Sequence, residues 1–337
     1  MSLSRPMKFP LLNLPFLCIE EVVKSWDIFD IIFFAAISQK TRRIVKSLKI
    51  PLSGIKVGVR FNKWIELGMC KIWSFKNSLE SLSDLYSKRH PLVLEKNTIP
   101  LSTSRTNDAL NSYSDGNELI ALKMAMEFLT DAFKCSIEHV SIEMRNIPGD
   151  IGVKSTVNLC IHHYSFEPFG YTQSHKLSLL LENLEVTGTC DFSLRRTEQG
   201  FYVDPKLFKC KKLVFWPSSA NWVTRETLMQ FAVPQLKFED CPFSVQDILS
   251  FVIQWFHSDN KKLEYFHIES CGQISFEKFF LTVDLNPLFF IGRNRVPLTE
   301  SFRYIDFSKG LEIVRRDGLQ ATIHVTGRDF LLYIWHP

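Results

Sequence analysis

No two cysteines in the chain stand close together. The eight, Cys18, Cys70, Cys135, Cys160, Cys190, Cys210, Cys241 and Cys271, occur singly and mostly inside apolar runs. That excludes a Cys-x-x-Cys zinc or redox motif and argues for reduced, core-packing thiols instead of a disulfide framework. Nor do any of the nine histidines pair at helical spacing; His162 and His163 are merely adjacent, which removes the usual helical zinc site. There is no P-loop, no Gly-x-Gly-x-x-Gly and no Gly-x-Ser-x-Gly elbow, so the common nucleotide-binding and serine-hydrolase signatures are missing. A catalytic cysteine with a distant histidine leaves no local signature, but single cysteines in apolar runs are usually packing residues. The expectation is a non-enzyme with no cofactor and no metal.

Long apolar runs are lacking too. Ile28–Ile37 contains Asp30 and is far shorter than the roughly 20 residues that cross a bilayer. Phe9–Ile19 follows Arg5 and Lys8 as a signal-peptide core would, but Pro10, Asn13 and Pro15 interrupt it. Glu20-Glu21 comes next, with no small-residue cleavage site between. The expectation is therefore no membrane segment, and a cytoplasmic and/or nuclear location. Nor is there a large charge of one sign: the formal net charge is +4, with the surplus confined to residues 1–60, where 10 Lys/Arg face 4 Asp/Glu. An extended basic surface for phosphate tracking is absent, and nucleic acid is not an expected partner.

What the chain does have is 45% hydrophobic residues, 29 of the 337 being Phe, a composition that folds around a thick aromatic core. The length suits a small domain joined to a larger one.

Start signals for three short helices lie between Leu14 and Lys49. Pro15 suits a first helical position, and Phe16–Ser25 then puts Ile19, Val22 and Val23 on one stripe. Asp27, with Asp30 three residues on, caps a second helix over Ile28–Ile37 that is apolar nearly all round and needs cover on more than one side. Ser38 caps a third, with Ile44, Val45 and Leu48 inward and Lys40, Arg42, Arg43, Lys46 and Lys49 outward. That basic run reads as a solvated face suited to an acidic partner.

Leu14-Pro15, Val22, Ile28 after a helix break, Ile31, Ile37-Ser38 and Lys40, spaced without a gap, resemble the F-box pattern. Phe16 and Leu17 stand where that family commonly has acidic residues, and Thr41 where it often has an aromatic. The resemblance implies that the module, residues 8–50, docks on the Skp-type adaptor of a cullin–RING ubiquitin ligase. Leu14, Pro15, Val22, Ile28, Ile31 and Ile37 would be its anchors.

Residues 51–337 read as a second domain. Short strands are expected at Gly54–Phe61, Trp64–Leu67 and Lys71–Phe75, then a polar stretch Ser78–Asn117 with a mobile loop at Ser102–Gly116, then a helix at Glu118–Phe133. Beyond it an irregular unit repeats: an apolar-x-apolar strand, a polar turn, a helix. The copies are Leu184-Glu185-Val186 with Cys190, Leu213-Val214-Phe215, Leu236-Lys237-Phe238 with Cys241 and Phe266-His267-Ile268 with Cys271, spaced much as leucine-rich repeats are. Helices are expected at Thr224–Phe231 and Val245–Phe256. Near the C-terminus Leu311–Val314, the turn Arg316-Asp317-Gly318, Ala321–Val325 and Phe330–Trp335 alternate as antiparallel strands. The fold class is thus mixed α/β: three N-terminal helices, then an irregular leucine-rich-repeat-like α/β domain ending in antiparallel strands.

Leu263–Ile268 and the ending from Arg315 to His336 are similar to the type-2 F-box-associated domain of nematode F-box proteins. That resemblance implies a substrate receptor, non-catalytic, that holds an unidentified target protein for ubiquitination and degradation. The alternative is a module that sequesters its target. Trp216, Trp222 and Trp255 are candidate target contacts, because aromatics are enriched at binding hot spots, although large apolar residues more often lie in the core.

Overall fold

Pro15 stands immediately before the first helix of a computed structural model, where its missing N–H costs nothing; helices α1 (Phe16–Lys24), α2 (Ile28–Ile37) and α3 (Gln39–Leu48) come in quick succession. The structure describes residues 11–68, 70–77, 90–94, 101–114, 116–143, 147–148, 150–162, 173–194, 197–240, 243–269, 290–291, 302 and 304–336. The Asp27 carboxylate accepts the Phe29 N–H at 2.9 Å and starts α2. Ser38 and Thr41 form a reciprocal capping box that starts α3. Asp30, three residues after Asp27, closes no such box and pairs with Arg105 instead.

Two compact units make up the chain: residues 1–58 with 62–138, and residues 59–61 with 139–337. Whereas composition placed a break near residue 50, the three helices share the first unit with β1 (Ile55–Val59), β2 (Lys63–Glu66), β3 (Ile72–Lys76), β4 (His90–Leu92), β5 (Leu101–Arg105), β6 (Ala109–Tyr113) and α4 (Glu118–Phe133). The reason lies in α2. Phe29, Ile31, Ile32, Phe34 and Ala35 are all buried, and the cover they need comes from their own unit.

In that unit the strand order is β1-β2-β3-β6-β5-β4, with β3 and β6 parallel and β2–β3, β5–β6 and β4–β5 antiparallel. Helix α4 packs on α3, β2 and β3. The expected loop at Ser102–Gly116 is in fact the β5–β6 hairpin. Leu101, Leu110 and Tyr113 are buried there, but so are three hydroxyl-bearing positions that break the hydrophobic alternation, Thr103, Ser104 and Ser112. They are satisfied by Thr103 donating to the His90 carbonyl at 2.8 Å, Ser104 meeting the Tyr113 hydroxyl at 3.2 Å and Ser112 accepting the Trp73 indole N–H at 2.8 Å.

The second unit is built on parallel strands: β7 (Ile137–Glu143), β9 (Asn158–His162), β11 (Thr189–Ser193), β12 (Lys212–Phe215), β13 (Gln235–Glu239) and β14 (Tyr265–Glu269). A separate two-stranded pair joins β8 (Ser155–Thr156) and β10 (Glu185–Val186). Here a correction is needed: Leu184–Val186 belongs to that small pair, and the main-sheet strand is β11, with Cys190 inside it and opposite Leu213. Cys190 thus fills the core as a strand residue, not a turn residue. Cys241 and Cys271 lie outside the described residues. Helices α5 (Ser174–Asn183), α6 (Arg225–Leu228) and α7 (Val245–His257) punctuate the strands; α5 was not foreseen. At the far side β18 (Asp329–Trp335) pairs antiparallel with β14, and beyond it lie β17 (Gln320–Thr326), β16 (Leu311–Val314) and β15 (Phe290–Ile291).

In-register neighbours build the core of this unit. Phe192, Phe215 and Phe238 stand opposite one another on β11, β12 and β13; their rings stack at 5.4 Å and then 4.9 Å, the second pair within 4° of parallel. Phe208, Phe231, Phe243 and Phe251 close over them and Phe266. Eight phenylalanines thus form one ladder with its cover.

Candidate interaction surfaces

In the first unit the open side of α2 carries Asp30, Phe33 and Ile37, spaced to lie on one stripe, with Trp26 just before the helix. With Phe34, Pro91 and Val93 they line an apolar groove of about 650 Å³. Ile37 is 73% exposed at its end. At the start of α1, Phe16 and Leu17 are 47% and 72% exposed.

The six anchor residues named from sequence separate into distinct environments. Ile37 and Pro15 are exposed, Leu14, Val22 and Ile28 half-buried, and Ile31 only 3% exposed. Ile31 therefore faces the core of its own unit. Sequence reasoning passed over Phe16, Leu17 and Phe33 as surface, although the 30, 33, 37 spacing was there to be read.

Charge organises the first turn of α2. The Arg105 guanidinium at the end of β5 grips both oxygens of Asp30, with Nη2–Oδ2 at 3.2 Å, and reaches Asp27 at 3.2 Å. Lys71 bridges Asp27 at 3.2 Å and Asp108 at 3.1 Å. Burial alone would push the Asp27 carboxyl up; the Phe29 N–H and Lys71 together outweigh it and hold it below the usual range. Both cations lie near the face of the buried Phe29 ring, at 5.6 and 5.9 Å.

In the second unit the sheet face opposite the phenylalanine ladder is polar. One row runs Ser141, Cys160, Asp191, Val214, Lys237, His267, Leu331 across successive strands. Lys237 sits 2.7 Å from both Glu239 and Glu269. Burial lowers the affinity of that ammonium for its proton, but the two carboxylates more than restore it. Burial likewise raises the Asp191 carboxyl, which hydrogen-bonds with the Trp216 side chain. His267, buried beside Phe302 at 5.5 Å, is pushed down to about 4 by burial and by Lys237.

Of the three tryptophans, Trp216 is 43% exposed just past β12, while Trp222 and Trp255 are core. Trp222 packs edge-on against Phe201 and Phe215, and Trp255 lies under the Arg315 guanidinium. Cys160 and His162 approach to 3.6 Å. Burial pushes the thiol up to about 12 and the imidazole down to about 4, so both are neutral, without the lowered thiol pKa of an activated nucleophile. Among the described residues no group of three His, Cys, Asp or Glu is placed to hold a metal ion, and no helix is long and apolar enough to cross a membrane.

Residues 206–268, from just before β12 through most of β14, match the family model described as F-box associated. Comparisons with curated proteins and with solved structures gave no match.

Proposed function

We propose that this protein is the substrate-recognition subunit of an SCF-type cullin–RING ubiquitin ligase. Its N-terminal helices are an F-box that binds a Skp-type adaptor, and its second unit, a leucine-rich-repeat-like F-box-associated domain, holds a target protein. The observation that carries this reading is the F-box-associated match over residues 206–268, in a chain whose first helices hold the F-box pattern and leave Phe16, Leu17 and Ile37 uncovered. Exposed side chains of this size each gain about 1.5–3 kcal/mol when a partner buries them. Association costs roughly 4–15 kcal/mol, so this surface together with the groove suffices for a complex only if the partner covers most of it. The receptor contributes proximity: a target held on the ligase meets the ubiquitin-charged subunit at high effective concentration. Catalysis belongs to other subunits, and the setting is cytoplasmic and/or nuclear. Trp216, exposed and hydrogen-bonded with Asp191 of the polar sheet face, is the most favourable of the three tryptophans for touching the target.

The test is co-purification from cells expressing the full chain. The adaptor and cullin should accompany the wild type and be lost with Leu17→Asp/Ile37→Asp, and a target enriched with the wild type should lengthen its lifetime when the proteasome is inhibited. A wild type that brings down no adaptor contradicts the ligase reading; a bound target whose lifetime is unchanged by the inhibitor favours sequestration.

A further inference from the structure

Asp30 is the one charged residue among those that line the α2 groove, whose other described walls are Trp26, Phe33, Phe34, Ala36, Ile37, Pro91, Leu92 and Val93. A partner closing an apolar surface over this stripe strips water from that carboxylate, and a desolvated carboxylate without a partner is strongly unfavourable. Arg105 answers the problem from outside the three helices. It stands at the end of β5, binds both Asp30 oxygens, holds Asp27 with the same guanidinium nitrogen and lies over the buried Phe29 ring at 5.6 Å. The planar fork matches the carboxylate, which a lysine ammonium cannot do. Lys71 supplies no substitute, since its contacts go to Asp27, Asp108 and the Asn107 carbonyl.

We infer that Arg105 is a positioning residue for adaptor docking: it neutralises Asp30 at the end of the open α2 stripe and ties the first turn of that helix to β5. The inference rests on the reading that the adaptor closes over this stripe. It extends the determinants of docking to residue 105, well beyond the three helices.

The experiment measures the affinity of the full-length chain for a purified Skp-type adaptor by calorimetry. Four proteins are compared: wild type, Arg105→Met, Asp30→Asn and Arg105→Met/Asp30→Asn, each with a melting curve. Arg105→Met should bind about tenfold more weakly, because it leaves Asp30 unpaired in the interface. Asp30→Asn should stay within about threefold of wild type, and the double variant should recover to that level. Rescue by removing the carboxylate is what a merely structural arginine would not give. Wild-type affinity in Arg105→Met, or a double variant as weak as Arg105→Met, overturns the inference and leaves the adaptor reading standing. A wild type that does not bind overturns both. Should Arg105→Met fail to fold, Arg105→Lys takes its place: weaker binding that Asp30→Asn restores supports the inference, and wild-type affinity overturns it.

Discussion

At the scale of single residues, two buried polar groups carry consequences that the sequence hid. Arg315 has a side chain only 2% exposed, yet every direction of its guanidinium is used: Asp317 at 2.9 and 2.7 Å, the Asn260 carbonyl at 2.8 Å and the Trp255 ring beneath it. From sequence, Arg315 was only a flank of the Arg316-Asp317-Gly318 turn, because nothing local says that α7 ends against it. Arg315→Met should destabilise the second unit by about 3 kcal/mol, the cost of stranding partners of a buried charge, with chemical denaturation as the check. His267 makes the second case. Its folded-state imidazole titrates at about 4 against 6.5 for the free side chain, so between those values the unfolded chain binds the extra proton. Stability is therefore full above about pH 6.5 and lost as the pH falls toward 4. The loss should be on the order of 3 kcal/mol, and His267→Gln should flatten that slope; an unchanged slope would mean that other groups set it.

Among the secondary-structure elements, legibility followed the kind of side chain that faces inward. Helices α2, α3, α4 and α7 could be read because Asp27, Ser38 and Ser244 mark their starts or because apolar residues recur at helical spacing. The hairpin β5–β6 could not, because Thr103, Ser104 and Ser112 are buried among Leu101, Leu110 and Tyr113 and break the apolar alternation. The strands expected at Leu213–Phe215, Leu236–Phe238 and Phe266–Ile268 are present, whereas Leu184-Glu185-Val186 has the right pattern in the wrong pair of strands. Which apolar run joins the main sheet is decided by register across strands, and Cys190 opposite Leu213 won that place. Two predictions belong here. Phe238→Ala removes the ring that stacks on Phe215 and meets Phe243 and Phe266, and should cost about 3–5 kcal/mol in equilibrium unfolding. Gly58→Ala places a methyl 2.1 Å from the Trp64 ring and should cost about 1–3 kcal/mol, a loss that Trp64→Leu should partly relieve in the double variant.

For the whole molecule, the organisation changes what the N-terminal helices mean. Their pattern was visible in residues 14–40, and so was the excess apolarity of α2. What stayed hidden was that residues of β4 and β5, outside the three helices, stand against it: Pro91 and Leu92 beside Phe34, and Arg105 over Phe29. Ile31, named from its pattern as an anchor, is spent on that internal cover, whereas Phe16, Leu17 and Ile37 are exposed and the half-buried Phe33 lines the groove. The candidate surface of the second unit was legible only as a guess among tryptophans, since sequence cannot tell an exposed indole just past a strand, Trp216, from one in the core, Trp222.

The central claim, that this chain is a ligase receptor, stands or falls most directly on one binding measurement. Purified full-length protein is titrated with a purified Skp-type adaptor and the complex is sized by light scattering. The account predicts a saturable one-to-one complex, abolished by Leu17→Asp/Ile37→Asp without a change in melting temperature. No complex, or a complex indifferent to that double substitution, would contradict it.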